Sequence, residues 1–194
     1  MGLAPARAAQ ISFTNLPETL ENGTFNGFLG ATVDGVSVNI ICNDYYSTTQ
    51  IPSGPWGYNI STLPALAFAR FGSGDAGTQK YTAAAVLLAG LVDEVDAHAI
   101  SSYQYALWTL FSPSVASYGD SASLLNAAQN AVPDASLIQR LRIYTPAAAA
   151  SNQELLGLSD KPENFLIASP EPGSIVLMGV GFLLLSVVFH RAKA

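Results

Sequence analysis

Two residues of the chain, Cys42 and Gln104, are of types that could form a covalent bond with each other. Cys42 is the only cysteine among 194 residues and ends the apolar run 40–42. Gln104 lies in the largely apolar stretch 103–108, where a buried carboxamide without partners would cost on the order of a few kcal/mol. A thiol packed against this carboxamide can attack its carbon, release ammonia and form a thioester. A second interpretation stays open, because a lone cysteine often packs as a small apolar side chain and a glutamine can bond to a neighbouring strand.

A strand is predicted to position the thiol. The alternation in Val36–Cys42, VSVNIIC, is the strongest strand pattern in the sequence, and it places Cys42 on the side of the strand that carries the apolar residues Val36, Val38 and Ile40. The dipeptide Asp34-Gly35 before it is a strong hairpin signal. We therefore expect Cys42 at the far end of a hairpin strand.

A helix is predicted to position the carboxamide. Apolar residues repeat every three or four positions through Ala97–Phe111, with Gln104 on the apolar face and Pro113 after the end. The other predicted elements are strands over 11–13, 25–33, 58–60, 153–158 and 164–167, a polar loop over 47–57, and helices over 81–95, 121–132 and 133–144. Strands followed by helices and then strands indicate an α+β fold. We expect an antiparallel β-sandwich or barrel with a helical insertion, followed by a linker and a single C-terminal transmembrane helix.

The motifs around Cys42 and Gln104 resemble those of the thioester domains of bacterial surface adhesins. In that family an apolar–Cys–apolar motif is joined to an apolar–Gln–x–apolar–apolar motif on a distant helix. The glutamine motif matches through Trp108. The cysteine motif departs from the family, because Ile41 stands where an aromatic residue or leucine is common and Asn43 is polar.

This resemblance implies an electrophile that is used once. An amine or hydroxyl on a partner, for example a surface polymer or protein, would attack the acyl group of Gln104 and release the thiol of Cys42. The acyl group is consumed, so the resemblance implies covalent attachment and not an enzyme. Water must be kept from the bond until then. The expected thioester shield consists of Tyr103, Tyr105 and Trp108, with Tyr45 and Tyr46 close enough in sequence to contribute.

The C-terminal tail has the composition of a membrane anchor. Residues 175–189 carry no charge, and the basic residues Arg191 and Lys193 follow. A helix over 174–189 would be roughly 24 Å long, somewhat shorter than a hydrocarbon core of about 30 Å. Basic groups stay on the cytoplasmic side, which would place the rest of the chain outside. A buried core helix is the alternative, but the run has no amphipathic period.

The tail also resembles a sorting signal. Pro170-Glu171-Pro172, then the apolar helix, then the basic end at 190–194 is similar to the PEP-CTERM signal of bacterial proteins. In that family the membrane helix is recognised by an exosortase. The resemblance implies sorting to the cell surface or to an extracellular polysaccharide matrix, release after tail cleavage, and a tail domain over residues 169–194.

The N-terminal stretch agrees with export. Ala6-Arg7-Ala8 resembles the small-x-small cleavage site of a secretory signal, so we expect residues 1–8 to be a signal-peptide remnant and 9–168 to be the extracellular domain. A plain flexible terminus is the alternative interpretation of the same residues.

Charge and residue types exclude several other functions. The net charge is −6 and the basic residues form no cluster, so we expect no nucleic-acid partner. The acidic group Asp93, Glu94 and Asp96 lacks the spacing of a calcium loop, and His98 and His190 are too few for a metal site, so no metal or cofactor is expected. A non-covalent structural protein of the extracellular matrix, with Cys42 and Gln104 merely packed, is the alternative function.

Overall fold

The computed structural model describes residues 8–16, 19–21, 23–47, 53–63, 65–72, 74–147 and 152–159. All of them lie in one compact unit, Ala8–Pro162. The predicted strand over 164–167, the transmembrane helix over 174–189, the sorting motif at 170–172, and Arg191 and Lys193 lie outside the described residues. Among the helices that are described, none combines the length and the apolar character needed to span a bilayer.

Six antiparallel strands close into a barrel. The described strands are β1 (Ala9–Asn15), β2 (Thr19–Glu21), β3 (Thr24–Asn26), β4 (Leu29–Val33), β5 (Val36–Cys42), β6 (Ser53–Ser61), β7 (Leu141–Pro146) and β8 (Leu155–Leu158). The order around the barrel is β1-β4-β5-β8-β7-β6, and β2 and β3 form a separate two-stranded sheet. The expected α+β fold with an antiparallel barrel is confirmed. The predicted strand over 153–158 is observed as β8, which pairs with β5.

The hairpin that leads to Cys42 is confirmed. Val33 pairs with Val36 across a two-residue turn, in which Asp34 and Gly35 both have positive φ, 48° and 85°. Two positive φ values in succession match the right-handed twist of the flanking strands, and Asp-Gly supplies them at low cost. Val36 is 59% exposed at the tip of this hairpin, so the apolar side of β5 is buried only toward Cys42.

Strand β6 begins earlier than predicted. The predicted loop over 47–57 extends to Gly57, but Ser53–Ser61 pairs with β1 on one side and β7 on the other. The register against β1 shifts between Ile11 and Phe13, which leaves room for Gly54 and Pro55. A bulge accepts proline because the missing N–H is not needed there. Position 54 needs glycine for steric reasons, because a Cβ there would lie 2.8 Å from the Ile11 carbonyl oxygen.

In the described part of the chain, four helices lie between β6 and β7: α1 (Gly74–Leu91), α2 (Ala97–Phe111), α3 (Ser121–Asn130) and α4 (Ala135–Arg140). Helix α2 has the predicted bounds, and Asp96 caps it by accepting a hydrogen bond of 2.9 Å from the Ala99 N–H. Helix α1 begins before the predicted residue 81 and ends before 95. Its first turns contain Gly77, which has poor helix propensity but packs where a Cβ would lie 2.5 Å from the Gly72 carbonyl oxygen.

The predicted helix over 133–144 is wrong in its second half. Asp134 caps a helix, as expected, but α4 ends at Arg140 and the next residues form β7. Every residue of β7 is buried, because one face lines the barrel and the other lies beneath the helices. A short apolar run buried on both faces has no alternation, so periodicity cannot distinguish it from a helix.

The helices pack against the ends of β5, β7 and β8 near Cys42. Ile41 of β5 packs with Ile143 of β7, Leu156 of β8 and the buried face of α1, including Leu88. Successive residues of a strand point to opposite faces, so Cys42 points away from this helical core. Both faces of β5 are therefore covered near Cys42, which explains why the apolar alternation breaks down there.

Candidate functional site

The carboxamide of Gln104 lies between the ends of strands β4 and β5. Leu29 pairs with Ile40, so two further residues of pairing would bring Gly27 opposite Cys42. At that point Gln104 Nε2 donates to the Cys42 carbonyl oxygen at 2.8 Å, and the Gly27 N–H donates to Gln104 Oε1 at 3.3 Å. The side-chain amide thus occupies the position of the next rung of the ladder. It is 1% exposed, and it brings together two residues that are 62 positions apart.

The segment before β4 is shaped for this contact. Gly27 has a φ of +97°, and a Cβ on it would lie 3.0 Å from Ile100 Cγ2 of helix α2. The preceding buried residue, Asn26, donates from Nδ2 to Ser101 Oγ at 3.1 Å. These contacts fix the Gly27 N–H against the helix that carries Gln104. They also explain why the predicted strand over 25–33 is interrupted.

The thiol of Cys42 contacts the carboxamide of a different residue, Gln153. Cys42 Sγ donates to Gln153 Oε1 at 2.9 Å, and Gln153 Nε2 donates to the Asp44 carbonyl oxygen at 2.7 Å. Burial and, to a smaller extent, the nearby Asp44 carboxylate raise the pKa of Cys42 from 9.0 to about 12. The thiol is therefore protonated at neutral pH. Gln153 is not among the residues predicted from the sequence, where its only signal is its place at the start of a predicted strand.

A buried carboxylate connects the elements around Cys42 by hydrogen bonds. Glu154 is 0% exposed and accepts four hydrogen bonds: from Asn43 Nδ2 (2.9 Å), Tyr81 Oη (2.6 Å), the Arg70 N–H (2.7 Å) and Thr145 Oγ1 (2.7 Å). Burial and then the Glu154 carboxylate raise the pKa of Tyr81, which keeps the phenol protonated as a donor. Asn43, polar where the resemblance implies an apolar residue, thus anchors the end of β5 to the start of β8.

A more exposed ion pair lies beside this carboxylate. Arg70 Nη1 contacts Asp44 Oδ2, and Arg70 Nη2 donates to the Asn152 carbonyl oxygen at 3.1 Å. Ser47 Oγ donates to the same Asp44 oxygen at 2.6 Å. Because the arginine is about one-third exposed, the pair contributes little to stability but fixes the loop after Cys42.

Aromatic side chains cover α2 one turn beyond Gln104. The Tyr45 ring lies 5.1 Å from that of Trp108, which in turn lies 5.1 Å from that of Tyr105. Tyr46 is held over the same face by a hydrogen bond of 2.5 Å between its Oη and Ser114 Oγ. Two of the three predicted shield residues, Tyr105 and Trp108, therefore lie in one aromatic cover, and each is only 5% exposed.

Tyr103, the third residue of the predicted shield, lies against helix α1. Its hydroxyl would be 2.5 Å from a Cβ on Gly90 of helix α1, so it fills the space left by that glycine. Residues 103 and 104 are successive on a helix and differ in direction by about 100°. Tyr103 consequently belongs to the contact between α1 and α2.

Two acidic residues before α2, Glu94 and Asp96, accept hydrogen bonds from backbone N–H groups at the start of the helix. Glu94 Oε1 accepts from the N–H groups of Val95 and Asp96, and Asp96 caps α2. Within the part of the chain that the structure describes, no three histidine, cysteine or acidic side chains are grouped as metal ligands. His98 is exposed in the first turn of α2, with Nδ1 3.9 Å from Glu21 Oε2.

The fold is that of solved thioester domains. The N-terminal thioester domain of a surface protein from Clostridium perfringens superposes with a TM-score of 0.51 at 17% identity, over 76% of this chain and 97% of that chain. A cysteine-to-alanine mutant of such a domain from the same species gives a TM-score of 0.51 at 15% identity, over 76% and 97%. The N-terminal thioester domain of fibronectin-binding protein SfbI from Streptococcus pyogenes gives 0.48 at 14% identity, over 79% and 93%.

Sequence comparison adds nothing to this likeness. No protein-family model matches the chain, and no curated protein matches it. At these identities the likeness extends to the fold, an antiparallel barrel with inserted helices. The chain has the fold of a thioester domain, and it places a cysteine and a glutamine in contact at the end of two barrel strands.

Proposed function

We propose that the chain is an exported surface or matrix protein whose body forms an internal thioester between Cys42 and Gln104 and uses it to attach covalently to a partner. The observation that carries this proposal is the hydrogen bond of 2.8 Å between Gln104 Nε2 and the Cys42 carbonyl oxygen. It holds the carboxamide beside the residue that bears the thiol. The likeness of the fold to solved thioester domains supports the same interpretation.

The groups around Gln104 fit the closing reaction. Cys42 Sγ attacks Gln104 Cδ and forms the C–S bond, while the developing negative charge on Oε1 is stabilised by the Gly27 N–H. The C–N bond then breaks, and the nitrogen leaves as ammonia after taking the thiol proton. The Cys42 carbonyl oxygen accepts from this nitrogen before it departs.

The same groups favour a primary amine as the attacking group. An incoming amine would take the position that ammonia left, attack the acyl carbon and return the sulfur to a thiol. The amide that it forms keeps one N–H to donate to the Cys42 carbonyl oxygen, whereas an ester has none. A buried acceptor without a donor costs about 1–3 kcal/mol. Since the acyl group is consumed, the protein acts once and is not an enzyme.

The aromatic cover is proposed to exclude water before the partner arrives. Tyr105 and Trp108 are buried beside Gln104 on α2, and Tyr45 packs on Trp108 from the loop after β5. Excluding water slows hydrolysis of a reactive acyl group. Tyr46 strengthens this cover through Ser114.

The proposed cellular destination of the protein is inferred from its C-terminal tail. Pro170-Glu171-Pro172, the apolar run to residue 189, and Arg191 with Lys193 have the order of a PEP-CTERM signal. We propose that an exosortase sorts the protein, that residues 174–189 anchor it with the body outside, and that cleavage of the tail releases it to the cell surface or matrix. In this organisation residues 1–8 are a signal remnant, 9–168 the attachment domain and 169–194 the sorting tail.

Methylamine labelling tests the attachment function. Incubation of the full chain with methylamine should convert Gln104 to its methylamide, located by peptide mass spectrometry, and should expose one titratable thiol. Cys42→Ala should abolish the labelling, while Gln129→Ala, an exposed glutamine on α3, should leave it unchanged.

A non-covalent matrix protein is the second candidate. It is favoured by the fact that both ends of the Gln104 carboxamide are satisfied by backbone groups, as in an ordinary structural glutamine. In that case Gln104 stays unlabelled, and the thiol titrates in the denatured chain without amine treatment.

A further inference from the structure

A second glutamine touches the atom that must react. Cys42 Sγ donates its proton to Gln153 Oε1 at 2.9 Å, while Gln104 is held by the backbone of Cys42. Cys42 thus contacts two carboxamides that are far apart in the chain, that of Gln153 through its thiol and that of Gln104 through its carbonyl oxygen. Gln104 serves as the acyl group of the proposed thioester, and the contact with Gln153 is left unexplained by that function.

The orientation of the Gln153 carboxamide is fixed. Its Nε2 donates to the Asp44 carbonyl oxygen at 2.7 Å, and a carbonyl oxygen can only accept. The amide therefore presents its oxygen to the thiol. Asp44 is itself held by Arg70, whose Nη2 donates to the Asn152 carbonyl oxygen at 3.1 Å, one residue before Gln153. The acceptor is thus built into a closed ring of contacts around the loop.

We propose that Gln153 is a catalytic residue of thioester closure, which binds the Cys42 S–H proton and so turns a sulfur lone pair toward the carbonyl carbon of Gln104. This inference rests on the proposed function, because it assigns a role in that reaction. A thiol rotates freely about its C–S bond unless an acceptor fixes the proton. With the proton directed at Gln153, the lone pairs point to the remaining staggered positions.

The proposal also accounts for the proton. The thiol stays protonated at rest, so sulfur attacks with its proton still held at Gln153 Oε1. As the C–S bond forms, the proton moves to the departing nitrogen of Gln104, and ammonia leaves. In the reverse sense, after an amine has opened the thioester, the new thiol regains Gln153 as its acceptor.

The hydrogen bond between Cys42 Sγ and Gln153 is tested first in a variant that cannot form a thioester. In the Gln104→Ala variant the thiol is the only S–H group of the chain, so its stretching band in the Raman spectrum belongs to Cys42 alone. We expect a band at low frequency, typical of a bonded S–H, and a shift to higher frequency in Gln104→Ala/Gln153→Met. Gln104→Ala/Gln129→Met is the control and should not shift. An unshifted band in the Gln153 variant overturns the proposal, whether or not the native chain forms a thioester.

The rate of closure tests the role in catalysis. Treatment of the thioester form with ammonium restores the Gln104 carboxamide, and after desalting the renewed loss of ammonia can be followed by intact mass. Gln153→Met should close about tenfold more slowly, the value of one lost hydrogen bond in the transition state. Gln129→Met should close at the native rate. Equal rates for Gln153→Met and the native chain overturn the proposal.

Gln153→Glu separates a role in the reaction from mere packing. Protonated glutamic acid has the shape of glutamine, donates its O–H to the Asp44 carbonyl oxygen and keeps a carbonyl oxygen for the thiol. Its closure rate relative to the native chain at the same pH should approach unity in acid and fall as the pH rises above the pKa of the new carboxyl. A ratio that does not change with pH contradicts the proposal. Absence of ammonia loss in the native chain, by contrast, contradicts the proposed function and leaves the Raman result to decide the contact.

Discussion

At the scale of single residues, the position of the Gln104 carboxamide determines which products are favoured. Its Nε2 donates to the Cys42 carbonyl oxygen, and thioester closure removes that donor. An amide product restores it. Hydrolysis would instead put a carboxylate at residue 104, with an oxygen facing the carbonyl oxygen of Cys42. Two acceptors in contact repel each other, so we expect the proposed thioester to transfer to an amine more readily than it is lost to water.

The conformation of Gly27 gives a first prediction. Gly27→Ala forces an L-residue to a φ of +97° and places a methyl group 3.0 Å from Ile100 Cγ2. We expect a loss of about 2–3 kcal/mol in the free energy of unfolding, measured by urea denaturation, and slower loss of ammonia because the Gly27 N–H is displaced.

Gly23→Ala is the matched control for this variant. Gly23 has a φ of +75°, and a Cβ added to it would have nothing within 4 Å, so the substitution brings the backbone strain without the clash. It should cost about 1 kcal/mol and leave ammonia loss unchanged. Equal effects of the two substitutions would refute the assigned contact between Gly27 and helix α2.

The protonation of Cys42 gives a second prediction. In Gln104→Ala, iodoacetamide should alkylate the folded thiol at pH 8 about a thousandfold more slowly than the unfolded chain, because burial raises its pKa from 9.0 to about 12 and each pH unit changes the thiolate fraction tenfold. The unfolded thiol ionises first, so this group contributes stability fully below pH 9, and the contribution is lost as the pH rises toward 12. A folded chain alkylated as fast as the unfolded one would contradict the burial of the thiol.

The sequence allowed Cys42 and Gln104 to be singled out as candidates, but not the residues that contact them. Cys42 and Gln104 are polar or reactive groups in apolar stretches, and this contrast can be recognised from the sequence alone. Gly27 and Gln153 lie among ordinary turn and strand residues. Their roles arise only when the ends of β4, β5 and β8 meet, so no local pattern marks them.

At the scale of elements, helix α2 separates two functions on adjacent faces. Trp108 and Tyr105 face the loop after β5, whereas Tyr103 packs against Gly90 of α1. Within two turns the helix thus carries Gln104, the proposed acyl group, together with part of its aromatic cover and a contact with α1. This division predicts different effects for aromatic substitutions that are close in sequence.

Trp108→Leu and Tyr103→Leu should differ in what they damage. Trp108→Leu opens the cover beside Gln104, so the thioester should hydrolyse about tenfold faster, measured as thiol released at pH 8 without amine. Tyr103→Leu should leave that rate unchanged but lower the free energy of unfolding by about 1–2 kcal/mol through lost packing on α1. Faster hydrolysis in the Tyr103 variant would return this residue to the shield.

The elements with the predicted bounds are those that have a local start or stop signal in the sequence. The Asp34-Gly35 turn precedes strand β5, and Pro113 follows helix α2. The predicted form of strand β6 is too short because Pro55 and Gly57 suggest a loop, yet a bulge against β1 accepts Pro55 and Gly57 pairs with Gln10 of β1. Strand β7 is predicted as helix because both of its faces are buried and the alternation is lost.

At the scale of the whole molecule, Glu154 joins the parts that the site depends on. Its carboxylate binds Asn43 at the end of β5, Tyr81 of α1, Thr145 of β7 and the Arg70 backbone in the loop before α1. All four partners donate, so both oxygens of the side chain serve as acceptors. One buried residue therefore ties the barrel to its helical layer beside Cys42.

Replacement of this carboxylate gives a further prediction. Glu154→Gln turns one acceptor into a donor that faces other donors, and should lower the free energy of unfolding by about 3 kcal/mol in chemical denaturation. Asp93→Asn, at an exposed position, is the control and should change it by less than about 0.5 kcal/mol. A loss in the Glu154 variant as small as in the control would show that the network does not hold the barrel and helices together.

In the proposed function, the domain over residues 9–168 and the C-terminal tail act one after the other. An acidic domain with a protected acyl group would be carried out of the cell, held at the membrane by residues 174–189 and joined to an amine on a surface or matrix partner. A single cysteine suits this role, since no other thiol is present in the chain to exchange with the thioester.

The intact mass of the untagged, exported protein decides whether the thioester forms. The native chain should be lighter by one ammonia than its sequence requires. Cys42→Ala and Gln104→Ala should each have their full sequence mass, and methylamine should raise only the native mass, by one methylamine. A native chain of full mass, with a Cys42 thiol that titrates in the denatured chain without amine treatment, would contradict the thioester and leave a non-covalent matrix protein in its place.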